Sequence, residues 1–577
     1  MLSFGQVISG SFAMFKCLIR GAFLFLVAVQ SALAASTEAV YGDNAMVSSR
    51  STLASAAGIE IMQQGGNAVD GAVATAFALA VTYPSAGNIG GGGFAVIHFP
   101  DGRVLTQDHR EKAPGKAHRD MYLDDEGNEI KELSRSTHLA AGVPGSVDGL
   151  LDMLQRHGTK SRQEVMAPAI RLARDGFELD RYLARHINTA GKKLQDTPAG
   201  KKKFSMGDRL LEAGDVWKQP DLAATLQRIS DKGRAGFYEG ETADLIVAEM
   251  QRGNGIISHE DLKNYRSVWR DPVTTNYRGY DVWTMGPPSS AVLVLQILNM
   301  LEPYELASMG WGSSELIHLM VEAERRAYAD RAEHLGDPDF WDVPLEGLAS
   351  KEYAKQRFAD VDPGKASNSD DILAGNPGSK ESMETTHFSV MDSSGMAVSF
   401  TTTLNSSYGS KLVVAGAGFV LNNEMNDFSV KPNTMNQFDL IGREANAIEP
   451  GKRMLSSMSP TIVSKDGKPV LVTGSPGGST IITTTLQVIL NVIDHGMPLH
   501  DAVSLPRFHH QWTPNRIIYE KYAFSPDTLK VLESFGHVGF MEWPYGRGIG
   551  DANSVMIKDG VLHGVKDPRA EGVAVGF

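Results

Sequence analysis

The pattern of apolar and polar residues predicts helices near the start of the folded chain. Alanine-rich stretches at about 52–64 and 68–81 are bounded by Gly65-Gly66 and Pro84, residues that commonly end helices. The sequence therefore predicts two consecutive helices here.

A strand and a longer helical region are predicted next. Four glycines, Gly90 to Gly93, lead into the apolar run 94–99, which has the length of a buried strand. The middle of the chain, roughly 145–360, is mainly helical and charged, and 322–333 is predicted to be a long amphipathic helix.

The pattern changes to a period of two after residue 385. Residues 386–391 and 396–404 predict one hairpin, and 461–463 with 469–473 predict a second. A helical run follows from Gly477 to about 493. Strands covered by helices indicate a layered α/β or α+β body.

The first 34 residues differ from the rest. Lys16 and Arg20 precede the apolar run 21–29, and Ala32-Leu33-Ala34 fits a cleavage site for small residues. This is the order of a secretory signal peptide, so we expect residues 1–34 to be removed. We expect a periplasmic or secreted protein without stable membrane insertion, because no second apolar stretch is long enough to span a bilayer.

Charge and cysteine content exclude several classes of protein. The net charge is −13, and loss of the two positive charges of the signal peptide takes it to −15. This balance argues against nucleic acid as the main partner. The only cysteine, Cys17, lies in the predicted signal peptide, so the mature chain has no thiolate nucleophile or disulfide.

One threonine is a candidate nucleophile. The segment 363–381 is polar and rich in residues typical of exposed, cleavable chain, and Thr385 follows it at the start of a predicted strand. A cut between Glu384 and Thr385 would give Thr385 a free α-amine with a pKa of about 7.7–8.0, able to take its hydroxyl proton. From the residues alone, an ordinary strand threonine remains the simpler interpretation.

Several ordered blocks together resemble the bacterial γ-glutamyltranspeptidases along nearly the whole mature chain. The blocks are Arg110 to Pro114, Gly142 to Ser146, Gly286 to Ser290, Thr385 to Val390, Leu421 to Met425, Leu455 to Pro460, Gly474 to Gly478 and Asp567 to Arg569. The resemblance implies an α+β fold, the four-layer αββα sandwich of N-terminal-nucleophile hydrolases. It also implies a precursor that cuts itself into a large subunit, 35–384, and a small subunit, 385–577, which stay together as a heterodimer.

The resemblance assigns a role to each site residue. Thr385 is the nucleophile, Thr403 supports it, and the backbone N–H groups of Gly477 and Gly478 stabilise the oxyanion. Binding of the glutamyl α-carboxylate falls to Arg110, Ser456 and Ser457, and binding of its α-ammonium to Asn405, Glu424 and Asp427. Thr403 is predicted on the same face of its strand as Asn405. Without the resemblance, Arg110 beside Asp108 and Glu111 would be a surface ion-pair residue.

The implied activity is cleavage of γ-glutamyl amides such as glutathione through a γ-glutamyl-threonine ester. Water or the amine of an amino acid or peptide then accepts the group, and no metal or other cofactor is required. The segment 431–453 resembles a lid in which Phe438 stands where tyrosine is common, so we expect a looser lid. Two alternatives remain, a glutaryl or cephalosporin acylase of the same fold and a binding protein that never matures.

Overall fold

The core of the protein consists of two facing β-sheets. The computed structural model describes residues 38–375, 386–431, 434–544 and 548–577, and within these ranges each of the two sheets has seven strands. The predicted signal peptide, 1–34, and the predicted cleavage site between Glu384 and Thr385 lie outside the described residues.

The strands are numbered in chain order. They are β1 (Val40–Gly42), β2 (Ala45–Ser49), β3 (Gly92–His98), β4 (Val104–Asp108), β5 (Phe177–Glu178), β6 (Ser205–Met206), β7 (Arg209–Leu210), β8 (Val216–Trp217), β9 (Val268–Arg270), β10 (Val273–Tyr277), β11 (Tyr280–Thr284), β12 (Thr386–Asp392), β13 (Ala397–Thr403), β14 (Thr461–Lys465), β15 (Lys468–Thr473), β16 (Phe508–His509), β17 (Ile518–Glu520), β18 (Met541–Trp543), β19 (Ser554–Lys558), β20 (Val561–Val565) and β21 (Val573–Gly576).

The helices are numbered in the same way. They are α1 (Thr52–Gln63), α2 (Ala68–Thr82), α3 (Lys131–Ser136), α4 (Ser146–His157), α5 (Arg162–Asp175), α6 (Arg181–Thr189), α7 (Pro198–Phe204), α8 (Pro220–Lys232), α9 (Ala235–Tyr238), α10 (Gly240–Arg252), α11 (His259–Asn264), α12 (Val292–Leu301), α13 (Leu306–Met309), α14 (Ser314–His334), α15 (Leu345–Ala349), α16 (Lys351–Arg357), α17 (Thr480–Ile493), α18 (Leu499–Ser504) and α19 (Pro526–Ser534).

Both large sheets are antiparallel. Sheet I has the strand order β21-β2-β12-β13-β3-β4-β9, and sheet II has the order β1-β20-β19-β15-β14-β11-β10. Within each sheet every neighbouring pair runs antiparallel. The hairpins predicted from the period of two are β12–β13 and β14–β15, so both predictions are confirmed.

Helices cover the outer face of each sheet. Helices α1 and α2 pack on sheet I, and α12, α14 and α17 belong to the apolar core of sheet II. A third apolar cluster, which includes Met46, Phe94, Ile462 and Val472, lies between the sheets. These layers confirm the predicted αββα sandwich, and the residues from Ala39 to Phe577 form one compact unit.

The start of α2 shows how local sequence sets an element. The side-chain oxygen of Asn67 accepts the N–H groups of Val69 and Asp70, each at 3.0 Å, and Asp70 accepts the N–H of Asn67 at 2.8 Å. This reciprocal cap satisfies donors that the first helical turn leaves unpaired, which begins the helix at Ala68.

The predicted amphipathic helix at 322–333 is part of α14, but its polar face is not exposed. Glu322, Arg325 and Arg326 are buried, and Glu322 forms an ion pair with each of the two arginines. The helix prediction is confirmed, but the charged residues are paired with one another inside the protein instead of facing water. No helix in the described ranges is both long and apolar enough to cross a bilayer.

Candidate active site

The candidate site lies at one end of sheet I, where β12 begins and β13 ends. The Nδ1 of His387 lies 3.1 Å from the hydroxyl of Thr401, and a Cβ at Gly474, which directly follows β15 of sheet II, would come within 2.6 Å of the same ring. Thr403 lies two residues after Thr401 on the same strand. Its side chain therefore points to the same face of sheet I, toward sheet II. Thr385 directly precedes β12 in the sequence and lies outside the described residues.

Thr403 and Asn405 form the side of the site nearest to β13. The hydroxyl of Thr403 accepts the N–H of Asn405 at 2.7 Å. Asn405 follows β13 in a left-handed conformation, with a φ of 71°, so its predicted place on the strand was wrong. Its Nδ2 donates to the carbonyl of Asn423 at 3.0 Å, while its buried Oδ1 accepts no hydrogen bond from a described residue.

Arg110 is fully buried, contrary to the surface position indicated by the residues alone. Its Nη1 lies 2.7 Å from Glu424 and 3.3 Å from Glu111, and its Nη2 lies 2.5 Å from Asp427. All four side chains have no exposed surface. The fold therefore brings Arg110 together with two predicted site residues, Glu424 and Asp427, that follow it by more than 300 positions in sequence.

Three carboxyl groups share this one guanidinium. Burial raises the pKa of Glu111, Glu424 and Asp427, and repulsion from Glu424 raises the pKa of Glu111 and Asp427 further. Burial also disfavours charge on Arg110, but the neighbouring carboxylates outweigh this effect and raise its pKa. The cluster is short of positive charge, so an ammonium group among its carboxylates would be bound electrostatically.

Ser456 and Ser457 belong to a segment whose backbone contacts Arg110. Arg110 donates from Nε to the carbonyl of Met454 at 3.1 Å and from Nη2 to that of Leu455 at 3.2 Å. These carbonyls directly precede the two buried serines. The predicted carboxylate-binding residues therefore lie side by side.

Two buried residues of this part of the site were missed from the sequence. Arg331, on α14, donates to the hydroxyl of Ser457 at 2.8 Å, and Glu111 contacts Arg110. Both stand in charged segments that are typical of a protein surface, so the sequence offered no signal of their burial.

The loop before α17 carries Gly477 and Gly478. Both have positive φ angles, 132° and 62°, and a Cβ at Gly477 would come within 2.5 Å of the hydroxyl of Thr480. Within the described ranges neither glycine N–H donates a hydrogen bond to the protein. The N-terminus of α17 adds the partial positive charge of the helix dipole. These N–H groups are therefore suited to stabilise a developing oxyanion.

The segment 431–453, here called the lid, is fastened to its surroundings by polar contacts. The hydroxyl of Ser406, beside Asn405, donates to Oε1 of Gln437 at 3.2 Å. Asp439 forms an ion pair with Arg516 at 2.7 Å. Residues 432 and 433 lie outside the described part of the lid.

Phe438 packs against the apolar core of sheet II instead of standing in solvent. The side chain of Gln511 donates to the carbonyl of Asp439, next to Phe438, at 3.1 Å. Beneath the lid is a cavity of about 10 Å³, lined by residues that include Asp427 and Asn446 and large enough for about one water molecule. The side chain of Asp427 has no surface exposed to solvent.

The chain is similar in sequence and in fold to several known proteins. The glutathione hydrolase proenzyme of Escherichia coli is 47% identical over 528 residues, which cover 91% of this chain and 90% of that protein. The structure of cephalosporin acylase from Bacillus halodurans has a TM-score of 0.84 and 28% identity, covering 94% of this chain and 97% of that one. The γ-glutamyltranspeptidase of Helicobacter pylori has a TM-score of 0.55 and 45% identity, covering 56% of this chain and 93% of the solved one.

The chain also matches the model of a whole protein family. The family model described as γ-glutamyltranspeptidase covers residues 54–577, which include every predicted site residue. The chain therefore belongs to the γ-glutamyltranspeptidase family.

Proposed function

We propose that the protein cleaves γ-glutamyl amides such as glutathione and transfers the γ-glutamyl group to water or to the amine of an amino acid or peptide. The observation that carries this proposal is the buried cluster in which Arg110 meets Glu424 and Asp427. A γ-glutamyl group carries an α-carboxylate and an α-ammonium on one carbon. The cluster offers a partner of opposite charge to each.

Substrate binding would exchange ion pairs within the cluster. The α-carboxylate would take two N–H groups of Arg110, with Ser456 and Ser457 beside it, because guanidinium and carboxylate pair through parallel hydrogen bonds. The α-ammonium would take the carboxylates that Arg110 now holds, together with Oδ1 of Asn405. Each buried charge would keep a partner throughout, which avoids the cost of an unpaired charge.

Thr385 would act after the bond to Glu384 is cut. Its hydroxyl oxygen attacks the γ-carbonyl carbon, its own α-amine takes the hydroxyl proton, and Gly477 and Gly478 stabilise the oxyanion. The C–N bond then breaks, the proton passes to the leaving amine, and a γ-glutamyl ester remains on Thr385. Water or an acceptor amine attacks this ester and restores the hydroxyl group.

His387 is a poor alternative base, although it is near Thr385 in sequence. Burial lowers the pKa of His387 to about 3, so the ring is neutral at physiological pH. Its nitrogens already contact the hydroxyls of Thr401 and Ser389, at 3.1 and 3.0 Å. These contacts support the α-amine as the base.

The proposed subunits, 35–384 and 385–577, would remain associated after cleavage. In sheet I, β12 and β13 lie between β2 and β3, so strands from both sides of the cut are hydrogen-bonded to one another. Separation would expose a large apolar interface, which favours a stable heterodimer. We also propose export through the signal peptide, to the periplasm or beyond.

An acylase is the second candidate, because the cephalosporin acylase structure is similar over nearly the whole chain. A glutaryl group lacks the α-ammonium, so it would take Arg110 and leave Glu424 and Asp427 without a cation. That cost favours the glutamyl substrate. A protein that only binds such compounds would not need Thr385 or Thr403.

The test is an assay of purified protein with γ-glutamyl-p-nitroanilide and glutaryl-p-nitroanilide, each with and without glycylglycine. We expect hydrolysis of the glutamyl anilide and faster release of nitroaniline with glycylglycine. Preference for the glutaryl anilide would favour the acylase. A single uncut chain without activity would favour the binding protein.

A further inference from the structure

Arg50 is a second arginine at the same end of sheet I as Arg110. Arg50 directly follows β2 and Arg110 follows β4, while β12, β13 and β3 lie between these two strands. Pairing of Ser48 with Ser389 and of Asp108 with Phe94 brings the ends of β2 and β4 to the edge where β12 begins. The two arginines therefore flank the position where the chain enters β12.

The contacts of Arg50 connect its guanidinium, through one aspartate, to the loop that carries Gly477 and Gly478. Its Nε forms an ion pair with buried Asp551, and its Nη1 donates to the hydroxyl of Tyr83. The N–H of Asp551 donates to the hydroxyl of Ser475 at 2.8 Å, two residues before Gly477. Asp551 therefore links Arg50 to the proposed oxyanion site.

Part of the Arg50 guanidinium remains available to bind a ligand. The side chain of Arg50 is 20% exposed, and its Nη2 donates to no group among the described residues. The exposed ring of Tyr182 is close enough to interact electrostatically with Arg50. A positive group with a free donor suits a carboxylate on an extended peptide.

We propose that Arg50 binds the carboxylate of the peptide that leaves the γ-glutamyl group or accepts it. This inference rests on the proposed function, because it concerns the other half of the same substrate. The leaving dipeptide of glutathione and an acceptor such as glycylglycine both carry an amine at one end and a carboxylate at the other. Arg110 would hold the glutamyl end and Arg50 the peptide end.

The dimensions of the sheet fit this arrangement. Four strand spacings separate β2 from β4, which is about 19 Å. Three extended residues span at most about 10–11 Å. About 4 Å remains on each side, which the long side chain of an arginine can bridge.

The test compares three substrates: glutathione, glutathione with a C-terminal amide, and γ-glutamyl-p-nitroanilide. Only the first has the carboxylate that Arg50 would bind. We expect Arg50→Gln to lower kcat/KM for glutathione, relative to the other two, by about 10- to 100-fold, the effect of one hydrogen bond to a charged group. Arg50→Lys should restore part of this ratio, because it restores the charge.

The matched control is Arg278→Gln. Arg278 also bridges an aspartate, Asp494 at 2.6 Å, and lies 5.1 Å from the ring of a tyrosine, Tyr277, with a similar exposure of 23%. It lies in the turn after β10, at the opposite end of sheet II from Gly474. We expect the substrate ratio to stay as in the wild type.

Arg50→Gln leaves Asp551 buried without its cation, which could impair folding. The double variant Arg50→Gln/Asp551→Asn removes that charge, and we expect it to show the same lowered ratio. An unchanged ratio in an active variant, or an equal loss on all three substrates, would overturn the role of Arg50. If the wild type cleaves no γ-glutamyl compound, the proposed function itself fails.

Discussion

Replacement of Arg110 by methionine tests the electrostatics of the buried cluster. The guanidinium lies 2.5 Å from Asp427 and 2.7 Å from Glu424, without exposure to solvent. Removal of one partner of a buried ion pair costs about 3–5 kcal/mol, because the other charge is left uncompensated. For a unit of this length, the loss corresponds to a fall in Tm of about 3–4 °C.

The loss should depend on pH. The folded pKa values of Glu111, Glu424 and Asp427 lie above their ordinary values, so their ionisation destabilises the fold as the pH rises through the folded values. Without Arg110 this ionisation becomes more costly. We therefore expect a small loss of Tm at pH 5 and a larger one at pH 8.

The assay is thermal unfolding at both pH values in a Thr385→Ala background, so that every sample is designed to be a single chain. The control is Arg103→Met, which breaks an exposed ion pair with Asp101 and should leave Tm unchanged. Equal losses at pH 5 and pH 8, or no loss, would refute the reasoning.

Three further changes test the site. Gly477→Ala places a Cβ within 2.5 Å of the hydroxyl of Thr480, and displacement of the oxyanion donor should lower kcat by about 10²- to 10³-fold, measured with γ-glutamyl-p-nitroanilide. Glu424→Gln should raise KM for that substrate by about 10- to 100-fold and leave the KM for the glutaryl analogue less affected; equal increases would contradict its role at the ammonium. Phe438→Tyr should tighten the lid and change the ratio of hydrolysis to transfer, so an unchanged ratio would count against a looser lid.

Much of the fold could be predicted from the sequence, because the signals for hairpins and helix ends lie within a few residues of these elements. The hairpins β12–β13 and β14–β15 come from alternation over a few residues, and glycine and proline marked the ends of α1 and α2 closely. The helix predicted at 322–333 forms as part of α14, but the sequence did not indicate that its charged residues are buried. Its buried charges have partners among one another, which periodicity does not reveal.

The site depended on contacts between distant parts of the chain. Nothing near Arg110 in sequence indicates that Glu424 and Asp427 reach it, so the residues alone suggested a surface ion pair. The resemblance selected these residues, and the fold explains why they share a pocket. Arg50 had neither a motif nor a local signal, and only the strand order and register place it at the same end of sheet I as Arg110.

The most direct test of the account is the mass of the protein after a rapid acid quench during turnover of a γ-glutamyl substrate. We expect two chains, with the γ-glutamyl group attached to the first residue of the chain that begins at Thr385. A fully active protein that remains one uncut chain, or a γ-glutamyl group attached to any other residue, would contradict the account.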